Sequence, residues 1–250
     1  VKEIAVIFAR RDSVYKWLAG CDVYDIDRDA RTFPGGMPVV AHPPCRAWAS
    51  LRHCAKPMPG ERDLALWAIE QVREWGGVLE HPLNSTLWRV AGLPDPGGRD
   101  AFGGWTLIVD QHWWGHRARK RTRLYIVGIG PNRVPKMPMR LGEATHTVGL
   151  WSGRNRATAR PSISKPEYEA TPPALAAWLV ELARRCNPIA APGRHEASRA
   201  VRDADAGRKP TSPDVRSSLS NCAVVPDHRG GGAHFAGGAQ PHPPLTHGVR

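Results

Sequence analysis

Short apolar runs, each stopped by glycine, proline or an acidic residue, punctuate the first half of the chain. Ile4-Ala5-Val6-Ile7-Phe8 is unbroken, as a strand covered on both faces requires. Ser13 to Leu18 fits a short helix closed by Gly20. Asp22 to Asp27 predicts a second strand ending in acids, and Pro38 to Ala41 a third. From Arg62 to Trp75, the residues Leu64, Leu66, Trp67, Ile69 and Val72 recur as on a buried helical face, and Gly76-Gly77 ends the run. Val78-Leu79 opens a fourth strand that leads into Glu80-His81-Pro82, and Arg123 to Gly128 alternates and then breaks like a fifth. Thr171-Pro172-Pro173 predicts a helix start, with threonine as cap and proline in the first turn, for the amphipathic run Ala174 to Arg185.

Strands alternating with helices imply an α/β sandwich whose ligands sit at the carboxyl ends of the strands. Asp25, Cys45 and Glu80 all fall at such ends. After Arg185 the composition shifts to Pro, Gly, Ala, Arg and His without apolar periodicity, so residues 187–250 are expected to be a disordered tail and residues 1–186 the folded body.

Charge adds a partner. The formal net charge of +12 favours a polyanion, because lysines and arginines that neutralise phosphates release counterions. Residues 111–142 contain no acid, and Arg117, Arg119, Lys120, Arg121 and Arg123 alternate with Trp113, Trp114 and Tyr125, as on a nucleic-acid surface. A solvated basic edge is the plainer reading of the same residues. No apolar run is long enough to cross a membrane and no secretory signal opens the sequence, so a cytoplasmic location is expected. Five cysteines at irregular spacings do not form a disulfide framework and leave a free thiol available.

One of those thiols is placed distinctively. In His42-Pro43-Pro44-Cys45-Arg46-Ala47-Trp48 the two prolines end a strand and present Cys45 beside a cation, which favours the thiolate. A lone cysteine after a strand can also be a small buried hydrophobe, and Glu80 can be a surface acid paired with Arg52 or Arg89. A zinc site from His42, Cys45, His53 and Cys54 matches no common ligand spacing, and no metal is expected.

Pro44-Cys45-Arg46-Ala47-Trp48, Leu79-Glu80-His81-Pro82 and Arg121-Thr122-Arg123-Leu124-Tyr125-Ile126-Val127-Gly128, about forty residues apart, resemble three ordered motifs of the DNA cytosine-5 methyltransferases. These are the Pro-Cys nucleophile loop, the Glu-Asn-Val loop and the Arg-x-Arg strand. The resemblance covers roughly residues 4–130 and implies a reduced Rossmann-like methyltransferase sandwich with a short basic recognition region at about 129–169, as in compact phage-type enzymes.

It further implies DNA as partner and S-adenosylmethionine as cofactor. Cys45 would attack carbon 6 of a flipped cytosine, Glu80 would hold ring nitrogen 3 and the exocyclic amine, and Arg121 and Arg123 would hold the base and flanking phosphates. Phe8, Asp25, Ile26 and Pro43 would line the cofactor site, and Arg46, Arg117, Arg119 and Lys120 would contact DNA.

Where the family has a glycine-rich turn, this chain has Phe8-Ala9-Arg10-Arg11-Asp12-Ser13, and one strand and helix fewer precede Cys45. Arg46 stands for the usual glutamine, Ala49 for serine and His81-Pro82 for Asn-Val. Alternatives in view are an inactive methyltransferase-like DNA-binding protein and a pyrimidine-modifying enzyme using another donor.

Overall fold

The computed structural model describes residues 3–50, 52–140, 142–148 and 160–187. The expected disordered tail, except Asn187, and part of the expected recognition region lie outside the described residues. Six strands form one mixed sheet: β1 (Ile4–Ile7), β2 (Cys21–Tyr24), β3 (Val39–Ala41), β4 (Gly77–Pro82), β5 (Trp105–Asp110) and β6 (Arg121–Val127). Their order is β2-β1-β3-β4-β6-β5, with β6 antiparallel to both of its neighbours and the other pairings parallel. The helices are α1 (Glu61–Trp75), the single turn α2 (Leu87–Val90), α3 (Lys165–Glu169) and α4 (Pro173–Arg184). The result is an α/β layered fold compatible with a Rossmann-like sandwich.

Strand alternation divides the core between the two sheet faces. Ile4, Val6, Val40, Val78, Leu124 and Ile126 pack under Leu175, Leu179 and Leu182 of α4. Ala5, Ile7, Val39, Ala41, Leu79, Tyr125 and Val127 face Ala65, Ala68, Ile69 and Val72 of α1. The most buried face of α1 thus carries two alanines where larger residues were anticipated, while Leu64, Leu66 and Trp67 are only partly covered. Small side chains let the helix lie close to the sheet.

Several boundaries shift. The second strand stops at Tyr24, because Asp25 Oδ1 accepts from the backbone N–H groups of Asp27 (3.0 Å) and Arg28 (3.2 Å) and folds the chain into a turn. The α4 cap is Pro172 without a side-chain hydrogen bond, one residue later than the threonine cap predicted. The β5 strand has no counterpart in the sequence expectation. It is an edge strand of the sheet, with β6 as its neighbour.

Gly77 opens β4 opposite Val39, with φ +119°, and an added Cβ would lie 2.0 Å from the Val39 carbonyl oxygen. Backbone cannot yield as a flexible side chain can. Gly77→Ala is expected to lose at least about 3 kcal/mol in urea unfolding, from strain and steric overlap together. A loss below about 1 kcal/mol would show that β3 and β4 can separate there at little cost.

Candidate active site

Cys45 follows directly from how β3 ends. His42 N–H makes the last ladder bond, to the Ile7 carbonyl (3.1 Å), and Pro43 and Pro44 have no N–H to continue it. The Cys45 carbonyl then accepts from Trp48 (2.9 Å) and Ala49 (2.8 Å), closing a helical turn. Fully buried Trp48 anchors that turn: its indole donates to the Arg62 carbonyl (3.1 Å) and its own carbonyl accepts from Thr86 N–H (2.9 Å).

Glu80 leaves β4 on the α4 face of the sheet, the face of Val78, and meets Thr122 two residues before Leu124 on the same face of β6. Its Oε2 lies 3.1 Å from His42 Nδ1, and its Oε1 accepts from Gln111 Nε2 (3.2 Å) and contacts the Thr122 hydroxyl. His42 Nε2 is 2.9 Å from the hydroxyl of fully buried Tyr15. If Tyr15 donates to Nε2 and Nδ1–H donates to Glu80, one tautomer satisfies all three groups.

Cys45 and Glu80 open onto one cavity of about 820 Å³. His42, Lys120 and Tyr168 line it beside them, and Phe8, Ser13, Ile26 and Pro43 extend it toward the ends of β1 and β2. Cys45 is half-buried and free, so the cavity reaches its thiol.

Electrostatics in the cavity reverse two expectations. Burial, and then the Glu80 charge, pushes the Cys45 thiol above its usual range, against the opposing influence of Lys120. Arg46 borders the cavity but is not a free activating cation: its guanidinium is held by buried Glu61, at 3.0 and 2.5 Å. Burial alone would raise the Glu80 carboxyl, but the hydrogen bond from His42, the charge of Lys120 and the Thr122 hydroxyl outweigh it and bring the pKa down to about 2. Burial lowers the Lys120 ammonium, with Glu80, Cys45 and Glu169 opposing.

The basic residues disperse. Arg121 and Arg123 do not reach the cavity: they alternate with Thr122 and Leu124 and so project on the α1 face. Arg123 lies over Trp88 and reaches Asp95 (3.1 Å), while Arg121 joins Arg119 and Trp113 around a separate hollow of about 520 Å³. Lys120, expected on DNA, lines the cavity instead, with its Nζ 2.8 Å from the Tyr168 carbonyl. Arg117 pairs with Glu167 (2.5 Å) and Arg119 with Asp110 (3.2 Å). Trp114 and Tyr125 are core residues rather than stacking platforms.

At the other end, Ile26 is 77% exposed and lines the cavity, but Asp25 does not line it and is held by Lys16 at 2.5 Å. Phe8 has φ +61°, the one positive value at a non-glycine among the described residues. It takes the left-handed turn that a glycine would serve, held edge-on against Trp67 with ring centroids 5.9 Å apart.

No family model and no curated protein matches the chain. Among the described residues, no group of three or more His, Cys, Asp or Glu side chains could hold a metal ion. No helix of the described residues is long and apolar enough to cross a membrane. Tyr15, His42, Gln111, Thr122 and Tyr168 belong to the site although sequence reasoning gave them no such role. Of these, His42 alone carries a local signal, as the residue before Pro43-Pro44, and the spacing suggests for it only a zinc-ligand role.

Proposed function

We propose that this chain is a DNA cytosine-5 methyltransferase with a reduced Rossmann-like fold, in which Cys45 adds to carbon 6 of a cytosine. The observation that carries the reading is the shared cavity: a thiol and an anchored carboxylate, from different strand ends, line one space extending to the ends of β1 and β2. A cytosine within a duplex is out of reach of both groups, so the base must leave the stack to enter.

The Cys45 thiolate forms a bond to carbon 6 and pushes the ring electron pair toward carbon 5, making that carbon nucleophilic. Glu80, ionised in the free protein, accepts from the exocyclic amine and fixes the ring. As nitrogen 3 gains electron density it takes up a proton, and the Glu80-His42-Tyr15 chain is the connected set of groups able to relay one. Once carbon 5 carries the transferred group, loss of its proton to a base and return of the nitrogen 3 proton expel the thiolate and restore the ring.

The cavity volume suits a cofactor together with a base. Phe8, Ile26, Pro43 and Ser13 would hold S-adenosylmethionine, and Asp25 stands behind that wall rather than on it. The cofactor supplies an electrophilic methyl group. The non-glycine turn at Phe8 keeps a second reading, another donor at the same thiol.

The test is incubation of the full chain with duplex DNA and methyl-labelled S-adenosylmethionine, followed by nucleoside analysis. Label in 5-methylcytosine is the expected result. Unlabelled DNA across varied duplex sequences would overturn the choice of donor.

A further inference from the structure

Lys120 sits where the ends of β5 and β6 are clamped. Its N–H donates to Asp110 Oδ1 (3.1 Å) and its carbonyl accepts from Gln111 N–H (3.1 Å), so the backbone is fixed on both sides. Alternation with Thr122 and Leu124 then sends its side chain to the α4 face and into the Cys45 cavity. There the ammonium is aimed by the Tyr168 carbonyl at 2.8 Å and rests 5.1 Å from the Tyr168 ring centroid.

The charged and titratable groups around the thiol come from several elements. Glu80 on β4 is anionic, and Glu169 on α3 is paired with Arg10 at 3.2 Å. His42 is bound to Glu80, Tyr15 and Tyr168 are phenols held un-ionised by burial, and Arg46 is bound to Glu61. Of the remaining cavity-lining cations, Arg10 pairs with Asp12 and Glu169 and Lys165 lies 3.8 Å from Glu169, whereas the Lys120 ammonium hydrogen-bonds a neutral carbonyl.

We propose that the Lys120 ammonium is the positioning counter-charge of the Cys45 thiolate, the role the sequence assigned to Arg46. The step is a proton transfer: the Sγ–H bond breaks, the proton leaves to solvent, and the thiolate is stabilised by the fixed ammonium. Burial and Glu80 act against that anion, so the cation decides how much of it exists near neutral pH. The inference rests on Cys45 being the reacting group but requires neither DNA nor a methyl donor.

The experiment is iodoacetamide alkylation of the full chain across pH, with Cys45 followed by peptide mass spectrometry and exposed Cys54 as internal reference. Lys120→Met is expected to move the Cys45 midpoint up by about one pH unit, a rate about tenfold lower on the acid limb, with the alkaline plateau and Cys54 unchanged. Lys120→Arg, which keeps a charge, is expected to hold the midpoint near that of the unaltered chain. An unmoved midpoint in Lys120→Met would overturn the proposal, as would an arginine variant shifted as far as the methionine one, since lost packing on Tyr168 would then explain both. A normal Lys120 effect with no methyl transfer to DNA would leave this inference standing and remove the substrate reading alone.

Discussion

Cys45→Ser is expected to reduce methyl transfer at least about a thousandfold while leaving the fold intact. Sulfur and oxygen differ little in size, and Cys45 is a half-buried loop residue whose structural bonds run through its backbone carbonyl. What changes is nucleophilicity, because a serine hydroxyl in this buried, carboxylate-flanked position ionises far less than a thiol already raised by the same surroundings. Transfer assays together with thermal unfolding check the prediction. A serine variant with near-normal transfer would show that Cys45 is a packing residue.

Glu80→Gln is expected to lower transfer by about 10²- to 10⁴-fold and also to change the pH dependence of stability. The amide keeps the shape but has one accepting oxygen in place of two, so His42 and Thr122 lose part of the group they converge on. For stability the sign follows from the depressed pKa: about 2 in the folded chain against an ordinary 4.5. The contribution is present in full above about 4.5 and is lost as pH falls through that value toward 2. The gap corresponds to about 3 kcal/mol, an upper figure for one buried carboxylate. Urea midpoints measured between pH 6 and 2.5 should therefore fall less steeply for Glu80→Gln than for the unaltered chain. Parallel curves would mean that Glu80 is not held ionised by its neighbours.

The apolar runs made β1, β3, β4 and β6 legible because buried strands need continuous apolar residues and their breakers are local. The missed strand β5 carries the same signature, Trp105-Thr106-Leu107-Ile108-Val109 between glycines and an acid, but its partner β6 lies beyond the intervening loop and only the pairing reveals it.

The site divides similarly. Cys45 and Glu80 were legible because strand ends and proline geometry are short-range. The cations were not. In a strand, a step of one residue changes the face, so Lys120 lines the cavity and buried Thr122 meets Glu80 behind it, while Arg121 and Arg123, the residues that carry the motif resemblance, turn the other way. Arg46 sits beside Cys45 in sequence, yet Glu61, fifteen residues on at the start of α1, holds it. Ionic pairing of that kind is set by packing, and no local pattern encodes it.

The most direct test of covalent attack is incubation of the chain with a duplex carrying 5-fluorocytosine, with and without S-adenosylmethionine, followed by denaturing electrophoresis. Fluorine at carbon 5 cannot leave as a proton does, so a methylated adduct persists. The account predicts a denaturation-resistant protein–DNA complex that needs the cofactor and disappears in Cys45→Ser. No complex under any condition, or one that survives the Cys45 substitution, would contradict it.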